Sequence, residues 1–382
     1  MHGPEYAAPA PARPCRRRVT TTRRGRDAVA EPPPPSRPGL PRPAAVRPAG
    51  RPTMKDVAAH ARVGLKTVSR VVNGEEGVAP DTRLRVRASI DALGFRRNDG
   101  ARLLRQGRTA GIGMVLEDLA DPFYAPLVRA VEEAARAHGA LLINGSSAED
   151  PERERELVLA LCARRVDGLV VVPAGDDHRY LRPEMDAGVA TVFVDRSPGL
   201  LDADVVLSDN AGGAREGTAH LIAHGHRRIG FLGDRPEIQT AAERLRGYRA
   251  AMADAGLPVD PAWVSLGPTE PARVRAEAER ILAGHAPVTA FLAGNNRVTV
   301  SLVRVLAGRP RPTALVGFDD FELADLLSPP VTVVAQDPAL LGGTAAGLLF
   351  RRLAGAAGAP ERVTLPTRLL ARGSGELPPV QG

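Results

Sequence analysis

The chain has 382 residues, 43% of them apolar and 25% charged. This is an ordinary globular balance, with room for two or three domains at roughly 100–200 residues each. No run approaches the ~18 consecutive apolar residues of a membrane-spanning helix. Two cysteines, Cys15 and Cys162, cannot build a disulfide framework, and they fit a reducing cytoplasm, the expected location. The formal net charge of +7 is unevenly spread. Residues 1–50 hold ten arginines against three acidic residues, and residues 51–108 hold thirteen basic against six acidic. Residues 109–382 instead hold 28 basic against 35 acidic. A basic front on an acidic remainder suggests that only the front meets a polyanion.

Residues 1–50 contain twelve of the 35 prolines and show no apolar periodicity. Pro32–Pro35 forbids helix and sheet ladder alike, so 1–50 is expected to be a disordered, basic Pro/Arg-rich tail. Its arginine clusters, Arg16–Arg18 and Arg23–Arg24, are followed by no apolar segment, which argues against export. The segment is either a plain unstructured tail or a basic arm adding salt-sensitive, sequence-independent affinity for nucleic acid.

Residues 51–97 show three short helical patterns. In the first, Met54, Val57, Ala58 and Ala61 recur at helical spacing, and Thr53 can cap it with Asp56 three residues on. The second, Leu65–Asn73, is expected to bury Val68 and Val72 and to leave Lys66, Thr67, Ser69 and Arg70 outward. The third, Pro80–Leu93, is expected to turn Leu84, Val86, Ile90 and Leu93 inward, with Phe95 closing the core. A helix, a short turn and a second helix bearing short polar side chains can place that second helix in the major groove of DNA. A small solvated helical bundle would look the same by spacing alone.

The run Thr53-Met-Lys-Asp-Val-Ala and the run Thr67-Val-Ser-Arg-Val-Val-Asn73 resemble the headpiece signature of the LacI/GalR family of bacterial transcription regulators. The resemblance extends over roughly residues 52–372. It implies that Leu65, Lys66 and Arg70 occupy base-reading positions, with Arg70 making bidentate contacts to guanine. It also implies that Thr53, Thr67, Ser69 and Asn73 position the DNA backbone. Three positions depart from the family pattern. Arg62 stands where Gly would take a left-handed turn without strain. Gly64 lacks the hydroxyl that would cap the second helix, and Ala79 lacks the one before the third.

Residues 98–108 resemble the family's hinge. Ala101–Gln106 is too short to hold a helix alone. The resemblance implies that it folds against its dimer mate on DNA, with Leu104 wedged into the minor groove. By its own composition the segment reads equally as a flexible linker.

From Gly111 onward, short apolar runs alternate with amphipathic helices. Strands are expected at Ile112–Leu116, Leu141–Asn144, Leu169–Val172, Thr191–Val194, Val205–Leu207, Ile229–Leu232, Ala290–Ala293 and Leu315–Phe318. Helices are expected at Pro126–His138, Glu152–Arg164, Gly213–His224, Ala241–Ala255 and Pro271–Leu282. This alternation predicts doubly wound parallel sheets in two lobes over 109–373, roughly Thr109–Gly267 and Thr269–Gly373 with strand exchange near the end, and a short tail at 374–382. A ligand would then sit at the carboxyl ends of the strands, in the cleft. The resemblance implies the same periplasmic-binding-protein-like pair of lobes.

Asp195, Asn295 and Asp319 follow expected strands, Phe123 and Tyr124 follow the first, and Arg244 matches the family's effector-contacting arginine. Carboxylates accept hydroxyls, a guanidinium donates paired bonds and an aromatic face stacks on a ring, which suits a sugar or similar polar effector. The candidate effector set is therefore Phe123, Asp195, Arg244, Asn295 and Asp319, with Gln336 weaker. His220, His224 and His226 read as structural, because Gly225 looks like a helix cap. No GxSxG, HExxH or Walker spacing supports catalysis, metal or a cofactor, and none is expected. The expected protein is a homodimeric, effector-controlled DNA-binding regulator, a repressor by preference, with helix 123–138 as a dimer surface. The rival is a sugar-binding protein for transport, which shares the two lobes but has no use for residues 53–98.

Overall fold

A computed structural model describes residues 52–96 and 109–380. They fall into two compact units divided at Arg97–Asn98. The tail at 1–50 and the hinge at 98–108, with Leu104, lie outside the described residues.

The first unit holds α1 (Met54–Ala61), α2 (Leu65–Val72) and α3 (Pro80–Leu93). Thr53 and Asp56 form a capping box at the start of α1. The Thr53 amide and hydroxyl donate to Asp56 Oδ2 at 2.7 and 2.6 Å, and the Asp56 amide donates back to Thr53 Oγ1 at 3.4 Å. The core joins Val57, Ala58 and Ala61 to Val68, Val71 and Val86, with Ile90, Leu93 and Phe95 packed against it. Two inward assignments change. Val71 takes the fully buried place expected for Val72, which is half-buried. Leu84 is 64% exposed, because it lies two positions before Val86 and so about 200° round the helix from it.

The turn between α1 and α2 places Arg62 at φ 55°, ψ 48°, a left-handed conformation that costs a residue with a side chain ~1–2 kcal/mol. Gly64 and Ala79 open α2 and α3 without a side-chain cap. Ala79→Ser is expected to supply an acceptor for the first-turn amides of α3. Hydrogen exchange at 81–83 should slow by ~2–30-fold, the equivalent of ~0.5–2 kcal/mol. Unchanged protection would show that the backbone there cannot seat a cap.

The second unit consists of two parallel-sheet lobes. The first lobe contains β1 (Gly111–Leu116), α4 (Tyr124–Ala137), β2 (Leu141–Ser146), α5 (Pro151–Ala163), β3 (Gly168–Val171), α6 (Arg182–Asp186), β4 (Ala190–Val194) and β5 (Asp204–Ser208). The second contains α7 (Asn210–Ala223), β6 (Ile229–Gly233), α8 (Gln239–Asp254), β7 (Val264–Leu266), α9 (Pro271–Leu282), β8 (Ala290–Ala293), α10 (Asn296–Leu306), β9 (Ala314–Phe318) and β10 (Thr332–Ala335). The chain then returns to the first lobe for α11 (Pro338–Leu353) and β11 (Arg362–Leu365), and crosses again for β12 (Arg368–Leu370).

The sheets run β11-β5-β4-β3-β1-β2 and β12-β10-β9-β8-β6-β7. All pairs are parallel except β10 with β12. The two orders are the same path traced twice, so β4 corresponds to β9 and β1 to β6. The expected division near Gly267 is corrected: the first crossing falls at Asp209, and β6 already belongs to the second sheet. Alternation of strand and helix identifies a parallel sheet but carries no mark of which sheet a strand joins. The short strands β7, β10, β11 and β12 were not among those expected.

Each sheet is covered on both faces. In the first lobe, Ile112, Met114 and Leu116 point toward α4 and α11, where they meet Leu127, Val131, Leu341 and Leu349. Val115 points the other way, toward Val158 and Leu161 of α5. In the second lobe, Phe231, Leu292 and Val316 pack under α7 and α8, and Phe291 and Leu315 under α9 and α10. The stretch from Ser374, expected as a tail, is tied to the second lobe. The Ser374 hydroxyl donates to Leu315 O at 2.6 Å and accepts from the Thr332 amide at 2.9 Å.

Candidate nucleic-acid interface and ligand cleft

In the first unit, α2 buries Val68 and Val71 and turns the rest of its surface to solvent. Leu65, Ser69 and Asn73 follow one another at four-residue spacing, and Lys66 and Arg70 form a second row beside them. Leu65 is 45% exposed despite being apolar, an arrangement with no packing reward. Lys66, Arg70 and Asn73 are exposed, and Thr67 and Ser69 half-buried. The Arg70 guanidinium lies 3.8 Å from Glu75, an exposed pair easily exchanged for another partner. The Asn73 amide donates to Ser69 Oγ at 3.4 Å and to Glu75 Oε1 at 3.1 Å. Thr53 stands exposed at the start of α1, where its hydroxyl serves the cap. A helix this short and this polar can approach a duplex, with first-turn side chains at base edges and short polar groups at phosphates.

In the second unit, the cleft is built at the carboxyl ends of the strands. Glu117 follows β1, Asp195 follows β4, Asp234 follows β6, Asn295 lies just beyond β8 and Asp319 follows β9. All line one cavity with Phe123, Arg244 and Gln336. The corresponding strands thus supply matched carboxylates: Glu117 and Asp234 from β1 and β6, Asp195 and Asp319 from β4 and β9. The second pair even shares its backbone. Asp195 has φ 70° and Asp319 φ 66°. Each donates its amide at 2.9 Å to the neighbouring strand, to Val206 O and Val334 O respectively. Left-handed conformations of this kind cost of order 1–3 kcal/mol and persist where the surroundings enforce them, typically at binding sites.

Arg244, on α8, is almost fully buried. Its Nε donates to Asn210 Oδ1 at 2.8 Å and its Nη1 to Gly294 O at 2.7 Å. Asp319 Oδ2 lies 3.7 Å away, and the guanidinium rests on the Phe318 ring at 3.9 Å. Gln336 donates to Asp319 Oδ1 at 2.6 Å. Asn295 caps α10, accepting from the Val298 amide at 2.9 Å, and donates to Asp234 at 3.2 Å. Phe123 meets Tyr124 edge to face at 5.1 Å. All five residues expected at the effector site therefore lie on one cleft.

Several lining residues were not anticipated. Arg196 is buried, with its guanidinium held by both Glu149 oxygens at 2.7 and 2.9 Å and by Glu117 at 3.1 Å. Glu117 also accepts from the Tyr124 hydroxyl at 3.2 Å. Across the cleft, Asp121 accepts from Asn296 at 2.8 Å and from Arg297 at 3.0 Å, and Arg297 also donates to Asp118 at 2.7 Å. The Ser197 amide donates to Gln239 Oε1 at 2.7 Å. These bonds link the lobes, and the cavity between them measures only about 50 Å³, space for a few waters. Glu117 and Asp234 could have been found by the same strand-end rule that located Asp195 and Asp319.

Burial, reinforced by Glu149, pushes the Glu117 carboxyl up to about 8. Burial also raises Asp195 to about 6, against the pull of Arg196 and Arg244. A carboxyl whose folded value lies above its unfolded one stabilises the fold at low pH, and that stability is lost as pH rises through the folded value. Glu117→Gln is therefore expected to melt a few degrees above the parent at pH 8 and to match it near pH 5. A melting difference that stays constant across this window would show that Glu117 does not hold the proton.

The histidines have structural partners. His226 is buried and bonded to Thr289 Oγ1 and Leu377 O, both at 2.8 Å, and burial lowers its pKa. His220 meets Glu376 at 2.6 Å. Among the described residues, no group of His, Cys, Asp or Glu is arranged to hold a metal ion, and no helix is long and apolar enough to cross a membrane.

Residues 53–98 match the family described as bacterial regulatory proteins, lacI family, and residues 218–375 match the periplasmic binding protein-like domain. The chain is 37% identical over 338 residues to the HTH-type transcriptional regulator CelR of Thermobifida fusca, covering 85% of this chain and 98% of that one. A solved transcriptional regulator CelR–cellobiose complex superimposes with a TM-score of 0.63 at 34% identity, covering 85% of this chain and all of that one. The Lac repressor dimer bound to operator and the anti-inducer ONPF superimposes with a TM-score of 0.75 at 27% identity, covering 85% and 99%. The chain belongs to the lacI family of bacterial regulatory proteins.

Proposed function

We propose that this protein is a homodimeric transcriptional repressor whose operator affinity is set by a small polar effector, a sugar or close relative, and that it acts in the cytoplasm. The observation that carries the reading is the joint presence of two devices. One is the exposed group of Leu65, Lys66 and Arg70 on α2. The other is a cleft whose polar lining comes from strand ends of two lobes. A transport binding protein needs the cleft alone. The family members matched are regulators rather than enzymes, and the reading assigns this chain no reaction.

In this reading, residues 51–97 are the DNA-binding domain, 98–108 the hinge and 109–373 the effector and dimerisation domain. Arg70, Lys66 and Leu65 read base edges, while Thr53, Thr67, Ser69 and Asn73 position the backbone. Leu104 enters the minor groove. Phe123, Asp195, Arg244, Asn295 and Asp319 contact the effector. Helix α4 buries Leu127, Val131 and Ala135 and leaves Ala125, Pro126, Arg129 and Glu133 exposed for the dimer mate. The test is operator affinity of the full chain, measured by fluorescence anisotropy with and without each sugar that raises its melting temperature. A shift of ~5–150-fold, a coupling of ~1–3 kcal/mol, is expected. Stabilising ligands that leave operator affinity unchanged would contradict the reading.

A further inference from the structure

We infer that Lys66 is a modification site, at which a small acyl phosphate acylates the side-chain amine and switches off operator binding; this rests on the regulator reading above. Of the 51 basic residues of the chain, all but Lys55 and Lys66 are arginines. A guanidinium stays protonated and does not attack an acyl carbon, whereas a lysine amine does once it has lost its proton. Both lysines fall on the first unit, Lys55 in the first turn of α1 and Lys66 in the first turn of α2. The second unit offers an acyl donor no side-chain amine at all. Its one cysteine, Cys162, is buried, and burial pushes the thiol up to about 11, which leaves little of the reactive thiolate.

Lys66 is exposed and, among the described residues, has no hydrogen bond or ion pair. The acceptors on which it could settle are occupied: Asp56 holds the Thr53 hydroxyl, and Glu75 holds Asn73 and Arg70. Arg70 follows Lys66 by four positions and shares its side of α2, and Arg62, four positions before, is also exposed. The amine therefore stands free in a cationic field. That field attracts a doubly negative acyl phosphate for the same reason that it attracts DNA.

In the reaction, the Lys66 ammonium first gives one proton to water. The free amine attacks the acyl carbon, the bond from that carbon to the phosphate oxygen breaks, and phosphate leaves with the electron pair and the second proton. The product is a neutral amide with one donor in place of three and a flat acyl group added. At a base edge this removes a cationic donor and adds bulk, so both the base contact and the attraction to phosphates are lost. A Lys66 engaged with the duplex is in turn out of the donor's reach. The fold is indifferent, because the side chain has no partner to lose.

The test treats the full-length protein with acetyl phosphate, maps the adducts by peptide mass spectrometry after hydroxylamine has removed any thioester, and titrates the product onto operator by anisotropy. Lys66 should be acetylated. Operator affinity should fall about 10-fold or more with the melting temperature unchanged, and operator duplex present during treatment should slow the reaction at Lys66 about 10-fold or more. Lys66→Arg, which keeps the charge without the amine, should hold its own untreated affinity within about twofold after treatment, whereas Lys55→Arg should lose affinity as the parent does. A Lys66 left unmodified while the Met1 amine is acetylated overturns the inference. So does acetylated Lys66 with operator affinity intact, or a Lys66→Arg protein inactivated as fully as the parent. If the untreated protein binds operator and any of these results appears, this inference alone falls; if the untreated protein binds no operator, the regulator reading falls and takes the inference with it.

Discussion

Arg70→Ala is expected to weaken binding to the cognate operator by ~5–150-fold, the ~1–3 kcal/mol of a bidentate base contact. Affinity for a scrambled duplex should change much less, so discrimination collapses by nearly the same factor. The melting temperature should barely move. Arg70 is exposed, and its pairing with Glu75 at 3.8 Å is of a kind worth at most ~1 kcal/mol. Anisotropy on both duplexes checks the result. Equal weakening on the two would move Arg70 from reading bases to holding phosphates. Ser69→Ala, in the other row of α2, distinguishes the two rows by the same comparison.

Arg244→Ala is expected to have the largest effect in the second unit. It removes the cation 3.7 Å from Asp319 and strands the Asn210 carbonyl and Gly294 O. Breaking a buried pair on one side costs roughly 3–5 kcal/mol, which for a unit of this size lowers the melting temperature by on the order of 10 °C. Effector response should be lost, while operator affinity without effector stays within about twofold. Because instability alone could blunt a response, Asp319→Asn is the companion. Burial already raises the Asp319 pKa, which offsets part of the cost of breaking the pair from this side, and the amide keeps an acceptor for Gln336, so this change should destabilise less than Arg244→Ala. A full effector response in Asp319→Asn would remove this residue from the ligand's contacts.

The features legible in the sequence were those with a local cause. Thr53 and Asp56 stand three apart, and the capping box forms. Arg62 stands where Gly would turn left-handed, and it does turn so at φ 55°. Asp195 and Asp319 follow apolar runs, and a parallel sheet delivers such residues to its cleft edge. Features with a distant cause were not legible. Arg297 and Asp121 are bonded across 176 residues, and nothing near either marks the other. Arg196 sits one position past Asp195 and looks like any surface arginine until Glu149 and Glu117 enclose it. The exposure of Leu84 was legible, since a position two before Val86 cannot share its helical face; the apolar type of the residue outweighed its spacing. The division of the lobes was not, because β5 and α7 are continuous in pattern although they belong to different lobes.

The most direct test compares the full chain with a chain lacking residues 1–97, each titrated onto a duplex selected from a random pool by the full chain, at about 50 and 200 mM salt. The account predicts tight binding by the full chain to a pseudo-palindromic site, falling steeply at the higher salt, and no measurable binding by the truncated chain. Equal affinity of the two for that duplex would contradict it.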